Sequence, residues 1–172
     1  MKHLLLPDYN FDTYKDFTPA FLKDLGVDYL LCDIDNTLVP YDIALPSDEV
    51  IAWAKSLTEE GIKLILVSNN NEERVKTFSS PLGVPYLYKS GKPSRKTVKK
   101  ALAVIEGKKS KAALLGDQLL TDVITARVSG IMSLWVPTIK KVETPFFRFK
   151  SAIERPFIKH YYKKKAMEDK SI

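Results

Sequence analysis

The chain has 172 residues, 45% of them apolar, and a formal net charge of +6. That length suits one domain with a full core, and the apolar share is ordinary for a soluble globular protein. A single cysteine excludes a disulfide framework and a cysteine-rich zinc site, and His3 and His160, far apart, argue against a histidine metal cluster or catalytic triad.

The opening run Leu4-Leu5-Leu6 is broken by Pro7 and Asp8, so it does not read as a signal peptide, and no apolar run approaches the length of a membrane span. A reducing cytoplasmic setting is the expectation. Residues 1–137 hold 17 basic and 17 acidic side chains; residues 138–172 hold 10 and 4. The whole positive excess therefore lies in the tail.

After the N-terminal segment, strand-like and helix-like stretches alternate. Val27–Asp33 reads as the first strong strand, with Cys32 as a core residue. Ser47 caps a helix to Glu60, closed by Gly61. Lys63–Ser68 is a second strand, and Asn70 or Asn71 caps a helix to about Ser80. Pro85–Tyr88 is a short strand, followed by a helix from Pro93 or Ser94 to about Glu106. Lys111–Gly116 is the fourth strand, then a helix from Gln118 or Leu119 to Ser129, and Ile131–Val136 is the fifth strand. This order predicts an α/β fold, an open, mostly parallel sheet flanked by helices, with its site at the carboxyl ends of the strands.

The residues at those ends carry chemistry. The first strand ends in Asp33-Ile34-Asp35-Asn36-Thr37. Two carboxylates two residues apart on a strand project to one side, a costly pair unless a cation or proton relieves it. On its own the pentapeptide also reads as a strand-end turn. The second strand ends in Ser68-Asn69-Asn70, the third is followed by Lys92, and the fourth ends in Gly116-Asp117 with Asp122 one turn on. Singly these are caps, turn lysines and surface acids; together, in this order, they are a set.

The set resembles the haloacid dehalogenase (HAD) superfamily over about residues 27–137. Asp33-Ile34-Asp35-Asn36-Thr37 matches the first motif, Ser68 the second, Lys92 the third, and Gly116-Asp117 with Asp122 the fourth. The resemblance implies a Rossmann-like HAD fold and a phosphatase that works through an aspartyl-phosphate. Asp33 would be the nucleophile and Asp35 the acid/base; Thr37, Ser68, Asn69 and Lys92 would bind phosphate. Asp33, Asp117, the backbone carbonyl of Asp35 and, as ligand or support, Asp122 would hold Mg²⁺. An all-oxygen, carboxylate-rich set suits that ion.

Thirty residues separate Thr37 from Ser68 and 23 separate Ser68 from Lys92, room for no cap domain. A single capless domain over residues 1–172 is expected, with an open site. The stretches Asp33–Val39 and Gly116–Asp122 are similar to the capless IIIA, YqeG-type subfamily. That group is similar to the mitochondrial and plastid phosphatidylglycerophosphate phosphatases, which makes an anionic lipid a candidate substrate. A nucleotide, sugar phosphate or phosphoprotein is the alternative, as is a non-catalytic RNA-, ribosome- or membrane-binding module. No DNA partner is expected, RNA is not excluded, and the oligomeric state is not legible.

In the segment 144–168, Phe146, Phe149, Ile153, Phe157 and Tyr161 form an apolar helical stripe among basic residues. It reads as a helix packed on the domain, as one lying on an anionic bilayer, or as an RNA contact, with Pro156 expected to kink or split it. Lys89, Lys92, Arg95, Lys96, Lys99 and Lys100 form a second basic group, either a guide for polyanions or an exposed helix face.

Overall fold

The structure, a computed structural model, describes residues 4–140, 152–159 and 162. Six parallel strands form one sheet in the order β1-β6-β5-β2-β3-β4. They are β1 (Tyr9–Asn10), β2 (Tyr29–Cys32), β3 (Lys63–Val67), β4 (Tyr86–Leu87), β5 (Ala112–Gly116) and β6 (Met132–Trp135). The α-helices are α1 (Pro19–Asp24), α2 (Asp48–Glu59), α3 (Glu72–Ser79), α4 (Arg95–Val104) and α5 (Ile124–Ser129).

The sheet is parallel because each crossover carries a helix, and helices on both faces explain why its inner strands are almost wholly apolar. β2 lies at the centre: Leu31 stands opposite Ile65 and Leu114, and Cys32 opposite Leu66 and Leu115. Alternate residues face opposite layers. Leu30, Cys32, Leu64, Leu66 and Leu115 pack with Trp53 and Leu57 of α2 and Val75 and Phe78 of α3. Leu31, Ile65, Val67 and Leu114 pack with Val98, Ala101 and Leu102 of α4 and Ala126 of α5. Phe78 is fully buried, so truncating it to Ala should cost about 3–5 kcal/mol.

The helices start where the sequence places side-chain caps. Ser47, Asn71 and Ser94 accept from Val50 N, Arg74 N and Lys96 N. One expected helix is divided: Leu119–Val123 forms a π turn, and α5 begins only after it. The wider turn lets both Asp122 N and Val123 N donate to Gln118 O, at 2.9 and 3.3 Å.

The sheet has one strand more than the five expected. β1 is two residues long, too short for a periodic signal, and side chains hold it. Asp8 accepts from Ser133 N and Oγ at 3.0 and 2.9 Å and pairs with Arg127 at 2.9 Å. Behind it Phe11, Phe17 and Phe21 meet edge to face.

Residues 152–159 form a helix, and Pro156 sits within it without ending it. Phe157 and Ile158 pack against Leu5, Leu119 and Trp135, while Ile153 is exposed. Glu154 Oε1 accepts from Leu120 N at 3.0 Å, so this helix also holds the start of the π turn. Of the stripe's two described members, Phe157 thus packs on the domain and Ile153 does not. Phe146, Phe149, Tyr161 and Lys163–Lys165 lie outside the described residues.

Candidate active site

The chemistry-bearing residues meet at the carboxyl ends of β2, β3 and β5. Asp33 N donates to Leu115 O at 2.9 Å, which carries the β2–β5 ladder one residue past the strand. The chain then turns sharply. Thr37 N and Leu38 N both donate to Ile34 O, and Asn36 sits at φ 64°, a left-handed conformation that Asn tolerates. This turn returns the Thr37 hydroxyl to the carboxylates: it lies 3.2 Å from Asp33 Oδ2 and 3.4 Å from Asp117 Oδ1.

Asp33, Asp117 and Asp122 each offer an oxygen within 4.8 Å of the others, and all three are buried. Lys92 lies among them. Its Nζ is 2.6 Å from Asp33 Oδ1 and 2.6 Å from Asp122 Oδ1. The Asp122 contact is an ion pair without regular hydrogen-bond angles, which leaves that buried oxygen without a conventional donor.

One ammonium faces three carboxylates, and the electrostatics follow. Burial raises the Asp33 pKa to about 7; Lys92 pulls it down, and Asp122 adds to the rise. Burial, then Asp33 and Asp122, hold Asp117 well above the usual carboxylate range. Burial alone would lower Lys92, but Asp122 and Asp33 outweigh it and keep the ammonium charged. The cluster lacks positive charge. Its donors are all hard oxygens, so it fits a divalent cation such as Mg²⁺.

The supporting residues explain the placement. Trp135 Nε1 donates to Asp117 O at 2.6 Å, and Thr138 Oγ1 to Asp117 Oδ2 at 2.8 Å. Asp122 Oδ2 accepts from Gln118 N at 3.1 Å. Gly116 is required beside it: a Cβ there would lie 2.2 Å from Asp122 Cγ. Ser68 is buried, and its hydroxyl accepts from Asn70 N at 3.1 Å.

One expected role meets a different geometry. The Asn69 side chain, read as a phosphate binder, is turned to the loop that carries Lys92. Its Oδ1 accepts from Ser90 Oγ, Gly91 N and Lys92 N at 2.9, 3.0 and 2.9 Å, and Nδ2 donates to Lys92 O at 3.0 Å. An amide with one donor left is a loop clasp first. The Asp35 side chain is not in the carboxylate cluster. It pairs with Arg74 at 2.8 Å and accepts from Asn70 Nδ2 at 3.2 Å.

Arg74 and Thr138 were missed in the sequence, and Asn70 was read there only as a strand-end and helix-cap residue. The signal was there: α3 starts just past β3 and places Arg74 in its first turn, and Thr138 lies three residues past β6. Extending the strand-end rule to those positions would have found them.

The parallel sheet thus carries a buried acidic cluster at the carboxyl ends of its strands, cross-braced by one lysine. The chain belongs to the haloacid dehalogenase-like hydrolase family, whose model matches residues 13–130. It is similar to the probable phosphatase YqeG of Bacillus subtilis (strain 168), with 39% identity over 155 residues, 90% of each chain. Two solved structures share its fold. NagD from E. coli K-12 has a TM-score of 0.55 at 11% identity, over 70% of this chain and 93% of that one. The cobalt-bound deoxy-D-mannose-octulosonate 8-phosphate phosphatase from Haemophilus influenzae has a TM-score of 0.51 at 11% identity, over 76% and 88%.

Proposed function

We propose that this protein is a Mg²⁺-dependent phosphomonoesterase that works through an aspartyl-phosphate on Asp33. The observation that carries the reading is the buried carboxylate cluster with Lys92 at 2.6 Å from both Asp33 and Asp122. Lys92 and Thr37 hold the Asp33 carboxylate from two sides, which fixes the attacking group. An Asp33 oxygen bonds to phosphorus as the bond from phosphorus to the leaving oxygen breaks, and Asp35 gives that oxygen a proton. Water then attacks the same phosphorus, Asp35 takes its proton, and Asp33 is regenerated with release of inorganic phosphate.

Ser68 and Lys92 bind phosphoryl oxygens in this scheme, and Thr37 steadies the nucleophile. Asn69 acts indirectly, through the loop that carries Lys92. Asp33, Asp117 and the backbone carbonyl of Asp35 would hold Mg²⁺, with Asp122 beside them anchoring Lys92. The ion supplies positive charge where phosphoryl oxygens gather charge and lets Asp33 ionise beside its neighbours.

For the substrate we favour a phosphomonoester on an anionic lipid, with phosphatidylglycerophosphate first. The loop after Val39 presents Tyr41, Ile43 and Leu45 at 46%, 46% and 55% exposure, next to Lys140, which pairs with Asp42. Exposed apolar side chains grouped on one loop suit contact with a membrane surface. No helix among the described residues is long and apolar enough to cross a membrane, so a cytoplasmic enzyme would meet that surface from outside. The test is phosphate release from this lipid in mixed micelles beside a soluble aryl phosphate, with and without Mg²⁺, for wild type and Asp33→Asn. Mg²⁺-dependent turnover of both, lost in the variant, is expected. Aryl phosphate turnover with no lipid turnover would end the lipid assignment and leave the phosphatase standing.

A further inference from the structure

Arg74 has no part in the carboxylate cluster, yet its side chain is only 13% exposed. Its Nη2 and Nε both donate to Asp35 Oδ1, at 2.8 and 3.2 Å, and Nη1 donates to Ala44 O at 2.8 Å. The guanidinium lies over the Phe78 ring, 5.3 Å from its centroid. Asn70 Nδ2 reaches the other Asp35 oxygen, Oδ2, at 3.2 Å.

We propose that Arg74 is a positioning residue for the acid/base Asp35, and that it ties this carboxylate to the 40–46 loop framing the site. The inference rests on the reading of Asp35 as acid/base. Asp35 lies in a turn beside the left-handed Asn36, where backbone alone leaves the side chain several rotamers. The two guanidinium N–H groups that converge on Oδ1 select one of them. A planar guanidinium packed on a ring loses little freedom in making such contacts, which a lysine ammonium does not match. Oδ2, with one neutral amide donor, is then the oxygen that exchanges the proton. It gives a proton to the leaving oxygen as the phosphorus–oxygen bond breaks, and takes one from water as the aspartyl-phosphate is hydrolysed.

Ala44 O gives the arrangement its second end. The same side chain that aims Asp35 also pins the loop carrying Ile43 and Leu45. A ligand that shifts this loop therefore shifts the acid/base with it.

General acid help matters for a poor leaving group and little for a good one, which gives the test a readout that mere structural damage does not move. The full chain with Mg²⁺ is assayed on phenyl phosphate and on 2,4-dinitrophenyl phosphate, as wild type, Arg74→Ala, Arg74→Lys and Asp35→Asn. In Arg74→Ala, kcat/KM, which reports the step that expels the leaving group, should fall about 100-fold on phenyl phosphate and less than about threefold on the dinitrophenyl ester, with Arg74→Lys between. Asp35→Asn should show the same dependence more steeply. An equal fall on both esters in Arg74→Ala and Arg74→Lys would overturn the proposal, as would no fall on either. If Asp35→Asn is leaving-group-dependent and the Arg74 variants are not, only this inference fails. If Asp35→Asn is not, the acid/base reading fails and this inference with it.

Discussion

Asp33→Asn should remove the activity and yet stabilise the cation-free protein at alkaline pH. Burial and the neighbouring Asp122 raise the Asp33 pKa from 3.8 to about 7, against the pull of Lys92. An acid with a raised pKa holds its proton more tightly folded than unfolded, so it favours folding at low pH. That advantage is lost as pH rises from about 4 through about 7. At about 1.4 kcal/mol per pKa unit, the gap sets a ceiling of about 4 kcal/mol, and sharing of protons with Asp117 brings the expected loss to about 2–4 kcal/mol. In the variant Lys92 keeps Asp122 at 2.6 Å, so the ammonium is not orphaned while one buried negative charge is gone. The assay is urea unfolding in chelator at about pH 5 and about pH 8, where carboxylates outside the cluster titrate the same way in both proteins. Wild type should lose more stability between the two pH values than Asp33→Asn, and Mg²⁺ should restore wild type at the higher one. Equal losses in the two proteins, or a less stable variant at about pH 8, would refute the electrostatic reasoning.

Other substitutions probe the same site from different sides. Gly116→Ala places a Cβ 2.2 Å from Asp122 Cγ, so Asp122 must leave its place. Phosphatase activity should fall at least about tenfold, and thermal unfolding should respond less to added Mg²⁺. Lys92→Ala leaves Asp33 and Asp122 buried without their cation, which should cost about 3–5 kcal/mol in urea unfolding at neutral pH and abolish turnover. Phe157→Ala should cost about 1–3 kcal/mol by loosening the terminal helix from Leu119 and Trp135, with a measurable drop in melting temperature.

The layout of the fold was written in its apolar runs and caps. Leu30–Cys32, Leu64–Val67 and Ala112–Leu115 are continuous because both sheet faces are covered, and Ser47, Asn71 and Ser94 mark where helices begin. β1 was not legible, because two residues carry no period and Asp8, Ser133 and Arg127, distant in sequence, hold it. The acids and Lys92 at the strand ends could be listed from spacing, since topology alone gathers strand ends. Their partners could not. Whether Asn69 turns to phosphate or to Gly91 N, and whether Asp35 stands free or against Arg74, depends on rotamers set by neighbours far along the chain. The π turn at Leu119–Val123 was hidden for the same reason: its sequence reads as ordinary helix, and the wider turn shows only once Gln118 O is seen to accept from both Asp122 N and Val123 N.

The central claim is that phosphate passes through Asp33. Rapid mixing of enzyme, Mg²⁺ and an aryl phosphate, followed by a denaturing quench and borohydride, reduces an acyl phosphate to the alcohol. Peptide mass spectrometry should then find homoserine at position 33 in the substrate-treated wild type alone. An unmodified Asp33 under conditions of steady turnover, or reduction at Asp35 or Asp117 instead, would contradict it.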